Sequence, residues 1–157
     1  MAAVNNNLVT WSKTFSVGIR SMDNQHKELL NLVNDMYNHV IGDEKEENAY
    51  FKKVVKKTVS YIKTHFADEE KILKSIKFHG YFDHKRAHDS FILKVVDNVR
   101  DYENGKRVNL TSFTHFLREW ILTHIAIMDK QYFEYFKKFI ARRADKRLSI
   151  AAEDIAC

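Results

Sequence analysis

The sequence predicts an all-α protein: an antiparallel up-down-up-down four-helix bundle with an N-terminal arm and a basic C-terminal extension. Three observations carry this expectation. Proline is absent and glycine occurs four times in 157 residues, where average usage would give about 8 and about 11. The turn-formers of a many-stranded sheet are therefore missing. Apolar residues make up 45% and aromatics 13%, enough for a packed core and too much for a disordered chain. Gly42, Gly80 and Gly105 divide the chain into segments 19–41, 43–79, 81–104 and 106–157, and each carries apolar positions three and four apart. One domain is expected at this length, with residues 1–141 as the four-helix unit and 142–157 as the extension.

Each segment justifies its helix in turn. Gly18 belongs to the arm. The first stripe runs Met22, His26, Leu29, Val33, Met36, Val40. The second runs Phe51, Val55, Val59, Ile62, His65, Glu69, Leu73, Ile76. Tyr81, His84, His88, Phe91, Val95, Val99 and Tyr102 form the third. Leu110, Phe113, Leu117, Trp120, His124, Met128 and Tyr135 form the fourth. Four apolar stripes on short connections read as a bundle. Glycine is expected to stop the helices by entering left-handed conformations cheaply.

Several classes are excluded. No run of 18 apolar residues is present, so no membrane span is expected. The first residues, MAAVNNNLVTWSK, show no basic segment followed by an apolar run, so no secretory signal is read. Cys157 is the single cysteine, which removes a disulfide framework and a thiolate metal site and suits a reducing cytoplasm. The net charge of +5 resides in one stretch, KKFIARRADKR at 137–147, with Lys137, Lys138, Arg142, Arg143, Lys146 and Arg147 against one Asp. Cations at a helix C-terminus complement its dipole, and that reading is preferred over nucleic-acid binding. An unidentified acidic partner for this end is the remaining option.

The stripes are interrupted by groups that do not belong in an apolar core. His26, His65, His84, His88, His124 and Glu69 lie on core faces, and Asp129 lies beside the fourth stripe, on a strip with Ile125 and Tyr132. Buried carboxylates are very unfavourable unless paired or metal-bound. His65 and Glu69 are four apart, as are His84 and His88, so each pair projects from one helix face. His124 and Asp129 are five apart, about 140° around an α-helix, so they do not stack and the carboxylate must reach sideways. His39, His79 and His115 fall in connections or beside the stripes and read as surface residues. Five imidazoles and two carboxylates without a thiolate suit Fe, Mn, Zn or Ni. Seven donors are too many for one ion and suit two, with one coordination position left for a small molecule. No Glu here has a His three residues later, unlike the carboxylate-rich di-iron bundles.

These residues resemble the hemerythrin family, specifically its bacterial members. The matching pieces are Trp11 and Phe15 in the arm, GIRSMDNQH ending in His26, HFADEE with His65 and Glu69, HKRAHDSF with His84 and His88, and HIAIMD with His124 and Asp129. The resemblance covers roughly residues 10–140. It implies a non-haem di-iron centre, with two Fe ions bridged by Glu69, Asp129 and a solvent-derived oxo or hydroxo group. His84, His88 and His124 would complete one iron, and His26 and His65 the other, which keeps the open position for O2. Leu29, Phe66, Trp120, Ile121 and Ile125 neighbour the ligands and are expected to line an apolar O2 pocket that protects the bound gas. The implied function is reversible O2 binding for storage, delivery or sensing, without catalysis. The alternative is a di-iron enzyme acting on peroxide or nitric oxide, with Tyr132 or a water as proton source.

Overall fold

The computed structural model describes residues 7–39, 44–106 and 109–155, with side chains as far as 147. Val40, Gly42 and Cys157 lie outside the described residues. The elements are a 3-10 turn (Lys13–Phe15), α1 (Arg20–Asn38), α2 (Glu44–Ser75), α3 (Tyr81–Glu103), α4 (Leu110–Thr123), a π turn (His124–Asp129) and α5 (Lys130–Ile155). The last three form one continuous rod, the fourth of the bundle. α1 packs on α2 and α4, and α2 packs on α3. No helix among the described residues is long and apolar enough to cross a membrane.

The core is split in two. One apolar cluster contains Leu29, Val33, Met36, Phe51, Ile62, Phe66, Phe91, Phe113, Leu117, Ile121 and Ile125. The other contains Val17, Met22, Leu73, Ile76, Phe78 and Tyr132. Between them lies the layer of histidines and carboxylates. Met22 precedes His26 and Leu29 follows it. Phe66 precedes Glu69 and Leu73 follows it. The two clusters thus clamp the polar layer from both ends.

The connections differ from the simple glycine rule. Gly105 does behave as expected: its φ of +77° closes α3, with Gly105 N–H donating to the Tyr102 carbonyl and Lys106 N–H to the Asp101 carbonyl, both at 3.0 Å. This is a Schellman cap. The equivalent cap on α2 uses Lys77, with φ 53°. Lys77 N–H donates to the Lys74 carbonyl and Phe78 N–H to the Leu73 carbonyl at 3.0 Å. Phe78 then joins Leu73 in the second cluster, and this apolar contact offsets the cost of a non-glycine left-handed residue. α2 therefore stops at Ser75, short of the expected Gly80. Gly80 has φ −84° and serves by lacking a side chain, since a Cβ there would meet the Phe78 ring at 2.7 Å.

The fourth stripe also departs from expectation. Met128 and Tyr135 are only half-buried, whereas Asp129 and Tyr132 are fully buried. The π turn adds one residue to the helical repeat and rotates the core face onto the next positions. The C-terminal cations are not at a helix end either. α5 runs on to Ile155 with no basic residue in its last turn, so the dipole reading of that stretch fails.

The arm is tied to the bundle at several points. Asn34 accepts from Val9 N–H at 3.0 Å and donates to the Val9 carbonyl at 2.7 Å. Asp23, near the start of α1, accepts from Val17 N–H at 2.7 Å and the Ser16 hydroxyl at 2.6 Å. Lys130 donates to the Ser16 carbonyl at 2.6 Å. Gly18 permits this path, with φ +69° and the Phe133 ring 2.2 Å from where a Cβ would stand. Gly18→Ala is expected to cost about 2 kcal/mol through left-handed strain and displacement of Phe133. That corresponds to a melting temperature about 4–8 °C lower by calorimetry.

Candidate metal centre

All seven polar residues singled out in the sequence are buried, each with at most 2% of its surface exposed. They converge in one layer from all four rods. His26 comes from α1, His65 and Glu69 from α2, His84 and His88 from α3, and His124 and Asp129 from the two ends of the π turn. Hydrogen bonding from i to i+5 brings positions five apart onto one face. His124 Nε2 accordingly lies 3.2 Å from Asp129 Oδ1. The sideways reach expected of a regular α-helix is not needed.

Two donor groups form, and they share a carboxylate. Glu69, His84, His88 and His124 make one, and His26, His65 and Glu69 the other. His84 Nε2 and His88 Nε2 each lie 3.1 Å from Glu69 Oε2, and His88 Nε2 lies 2.9 Å from His124 Nε2. Asp129 spans both groups. Its Oδ2 is 3.2 Å from His26 Nε2, while its Oδ1 is 3.2 Å from His124 Nε2 and 3.4 Å from His84 Nε2.

The donor set fits metal ions better than it fits itself. His26 Nδ1 and Nε2, Glu69 Oε1, His124 Nδ1 and both Asp129 oxygens are buried without a hydrogen-bond partner. Native structures rarely leave so many orphans in one place. In an octahedral site with bonds of about 2.1 Å, neighbouring donors stand about 3.0 Å apart. The 2.9–3.4 Å separations above match that edge length.

The electrostatics divide the layer: Glu69, His65 and His124 are held in metal-binding forms, whereas Asp129, His26 and His84 are biased toward keeping a proton that a metal would displace. Burial opposes the Glu69 charge, but hydrogen bonds from His84 and His88 and the surrounding imidazoles outweigh it and hold its carboxyl well below the usual range. Burial and the Glu69 charge push Asp129 up to about 6, despite His26. Burial would lower His26 and His84, yet Asp129 raises the first and Glu69 the second. Burial lowers His65 to about 4 and takes His124 well below its ordinary value. Neutral imidazoles and ionised carboxylates are the forms that bind metals.

The model of the hemerythrin HHE cation binding domain matches residues 17–136. The chain belongs to the hemerythrin family. It is 30% identical over 130 residues to a bacteriohemerythrin of Clostridium acetobutylicum, covering 81% of this chain and all of that one. It is 28% identical over 123 residues to a myohemerythrin of Sipunculus nudus, covering 78% of this chain and 88% of that one. The crystal structure of wild-type hemerythrin superimposes with a TM-score of 0.70 at 27% identity, over 80% of this chain and 95% of the other.

Within this hemerythrin fold, outer contacts orient the imidazoles. His65 Nδ1 donates to Gln25 Oε1 at 2.8 Å, and Gln25 Nε2 donates to Asp68 Oδ2 at 3.0 Å. His88 Nδ1 donates to Glu70 Oε1 at 3.1 Å. Each bond fixes the tautomer that leaves Nε2 for the centre. The sequence reading missed Gln25 and Glu70. Their signal was adjacency: each neighbours a core-facing His or Glu, about 100° around the helix and so turned toward the next rod.

The five apolar neighbours are not equivalent. Phe66 stacks on His88 at 3.6 Å and Trp120 on His124 at 4.3 Å, so both cover the three-histidine group. Leu29, Ile121 and Ile125 are buried in the larger apolar cluster. His39, His79 and His115 are exposed.

Two outcomes are expected. Divalent metal binding should weaken as pH falls through about 6, because Asp129, His26 and His84 take up protons that the metal must displace. Metal titrations at stepped pH check this, and loading that is flat from about pH 5 to about pH 8 would contradict it. Gln25→Ala should reduce metal affinity about 10–100-fold by freeing the His65 ring, measured by competition with a chromophoric chelator.

Proposed function

We propose that this chain binds dioxygen reversibly at a non-haem di-iron centre held by His26, His65, Glu69, His84, His88, His124 and Asp129. The observation that supports this most is Asp129, which presents one oxygen to each donor group, while Glu69 belongs to both. Three histidines lie on one side of the two carboxylates and two on the other, so His84, His88 and His124 would hold one iron with them and His26 and His65 the second. A pair of ferrous ions, when bound, would supply the two electrons that reversible O2 binding requires. The myohemerythrin and bacteriohemerythrin relatives carry the family name, and the function comes to this chain by that likeness and by its donor set.

The chain's own residues would serve that chemistry in three ways. Gln25 and Glu70 hold His65 and His88 with Nε2 inward. Phe66 and Trp120 screen His88 and His124 from water, and Leu29, Ile121 and Ile125 would complete an apolar surround for the gas. Water exclusion slows loss of the reduced ligand by protonation. Tyr132, fully buried with an unpartnered hydroxyl, faces the same layer. Burial and the Glu69 and Asp129 charges raise its phenol well above the ordinary value. As a neutral phenol it can give a hydrogen bond within that layer.

Iron content and absorption spectra test the proposal. About two irons per chain are expected, with a colourless reduced form that colours in air and bleaches when oxygen is removed. Glu69→Ala and Asp129→Ala should lower iron occupancy, whereas His39→Ala, His79→Ala and His115→Ala should leave it unchanged. Rapid multiple turnover of peroxide with a reductant in stopped flow would replace the carrier reading with the enzyme reading.

A further inference from the structure

The stretch 137–147 requires a different account once the helix is seen to continue past it. α5 extends 19 residues beyond the end of the family match at 136, and every residue from Ala141 to Arg147 is exposed. At 100° per residue, Lys138, Arg142, Lys146, Phe139, Arg143 and Arg147 fall in one sector about 180° wide. Glu134 and Asp145 lie outside it, and Glu134 is taken by Lys137 at 2.8 Å. Among the described side chains no carboxylate pairs with Lys138, Arg142, Arg143 or Arg147. Lys138, Arg142, Arg143 and Arg147, like charges on one face, repel one another along the helix, which is tolerable where a partner neutralises them.

The face is not purely ionic. Phe139 sits at its middle, half-buried against the second apolar cluster, with the Arg143 guanidinium 5.1 Å over its ring. Ile140 lies at its edge, 48% exposed, beside a shallow apolar cleft formed with Arg143, Ala144 and Arg147. Cations flanking an exposed apolar side chain on a helix suit an anionic lipid surface. The headgroups take the charge, the acyl boundary takes the isoleucine, and the long stems of Lys and Arg reach between the two. A nucleic-acid backbone would use the cations and leave Ile140 uncovered.

We propose that the outer half of α5, centred on Phe139, Ile140, Arg142, Arg143 and Arg147, docks this protein on an anionic lipid surface. The inference is independent of the metal centre, since every residue it uses lies outside the site layer.

Flotation of the full chain with vesicles tests it, using phosphatidylcholine alone and phosphatidylcholine with one-third phosphatidylglycerol. Binding to the anionic vesicles only, and release by raised salt, are expected. The combined Arg142→Glu, Arg143→Glu, Arg147→Glu variant should bind at least about tenfold more weakly. Ile140→Ser should weaken binding several-fold at unchanged charge. These side chains are exposed, so circular dichroism and iron content should match the parent. Equal binding to neutral vesicles, no binding to anionic ones, parental binding by the charge-reversed chain or an unaffected Ile140→Ser variant would each overturn the proposal. Tighter binding to single-stranded RNA than to the anionic vesicles would also overturn it and assign the face to nucleic acid.

Discussion

Two carboxylates with no access to water sit at the middle of this bundle, and most of the structure answers to that constraint. Moving Glu69 and Asp129 from water into an apolar interior is costly. The chain meets the cost by bringing five imidazoles to them, from every rod. Hydrogen bonds from His84 and His88 keep Glu69 ionised. Asp129, with fewer donors, is pushed up to about 6. The imbalance between the two is a charge problem that protein groups alone leave open, and bound cations would close it.

The π turn is how the fourth rod takes part. In a regular α-helix, a residue five positions after His124 points away from it. The i to i+5 turn inserts one residue and sets Asp129 against both His26 and His124. It also rotates the following turn, so that Tyr132 enters the core and Met128 moves to its edge. Such turns cost stability and recur at functional sites. Here the cost is offset on either side, by Ile121 and Ile125 in one apolar cluster and Tyr132 in the other.

This local irregularity marks the limit of what the residues disclosed by themselves. Hydrophobic periodicity gave the bundle and the buried centres of its first three stripes, with Val59, Tyr81, Val99 and Tyr102 half-buried, because regular α-helices repeat every 3.6 residues. The same rule applied to the fourth stripe placed Met128 and Tyr135 inside. No single residue type announces an extra residue in a turn, so the shift was invisible in composition. Glycine punctuation had a similar limit. It located the connections but not their chemistry, since Lys77 took the left-handed position and Gly80 was needed for the Phe78 ring. Six of the seven polar core residues were legible because each broke an apolar stripe, and Asp129 because it lay beside the fourth on a strip with Ile125 and Tyr132. Gln25 and Glu70 were not, because they break none. The cations of α5 were legible as charge, but their place on the helix depended on where the helix ends.

The division of the core into two clusters follows from the same constraint. A polar layer across the middle of a bundle interrupts apolar packing, so neither half can rely on one continuous seam. The half toward the α1–α2 connection is closed by Phe51, Phe113 and Met36, and the other by Val17, Phe78 and Ile76. The arm reinforces both, through Val9 on Asn34 and Ser16 and Val17 on Asp23. Rigid apolar ends hold the backbones at the spacing the central donors need. Precision at the site is therefore set mainly by residues that never touch it. The polar side chains of the layer can remain few because their positions are fixed from outside it.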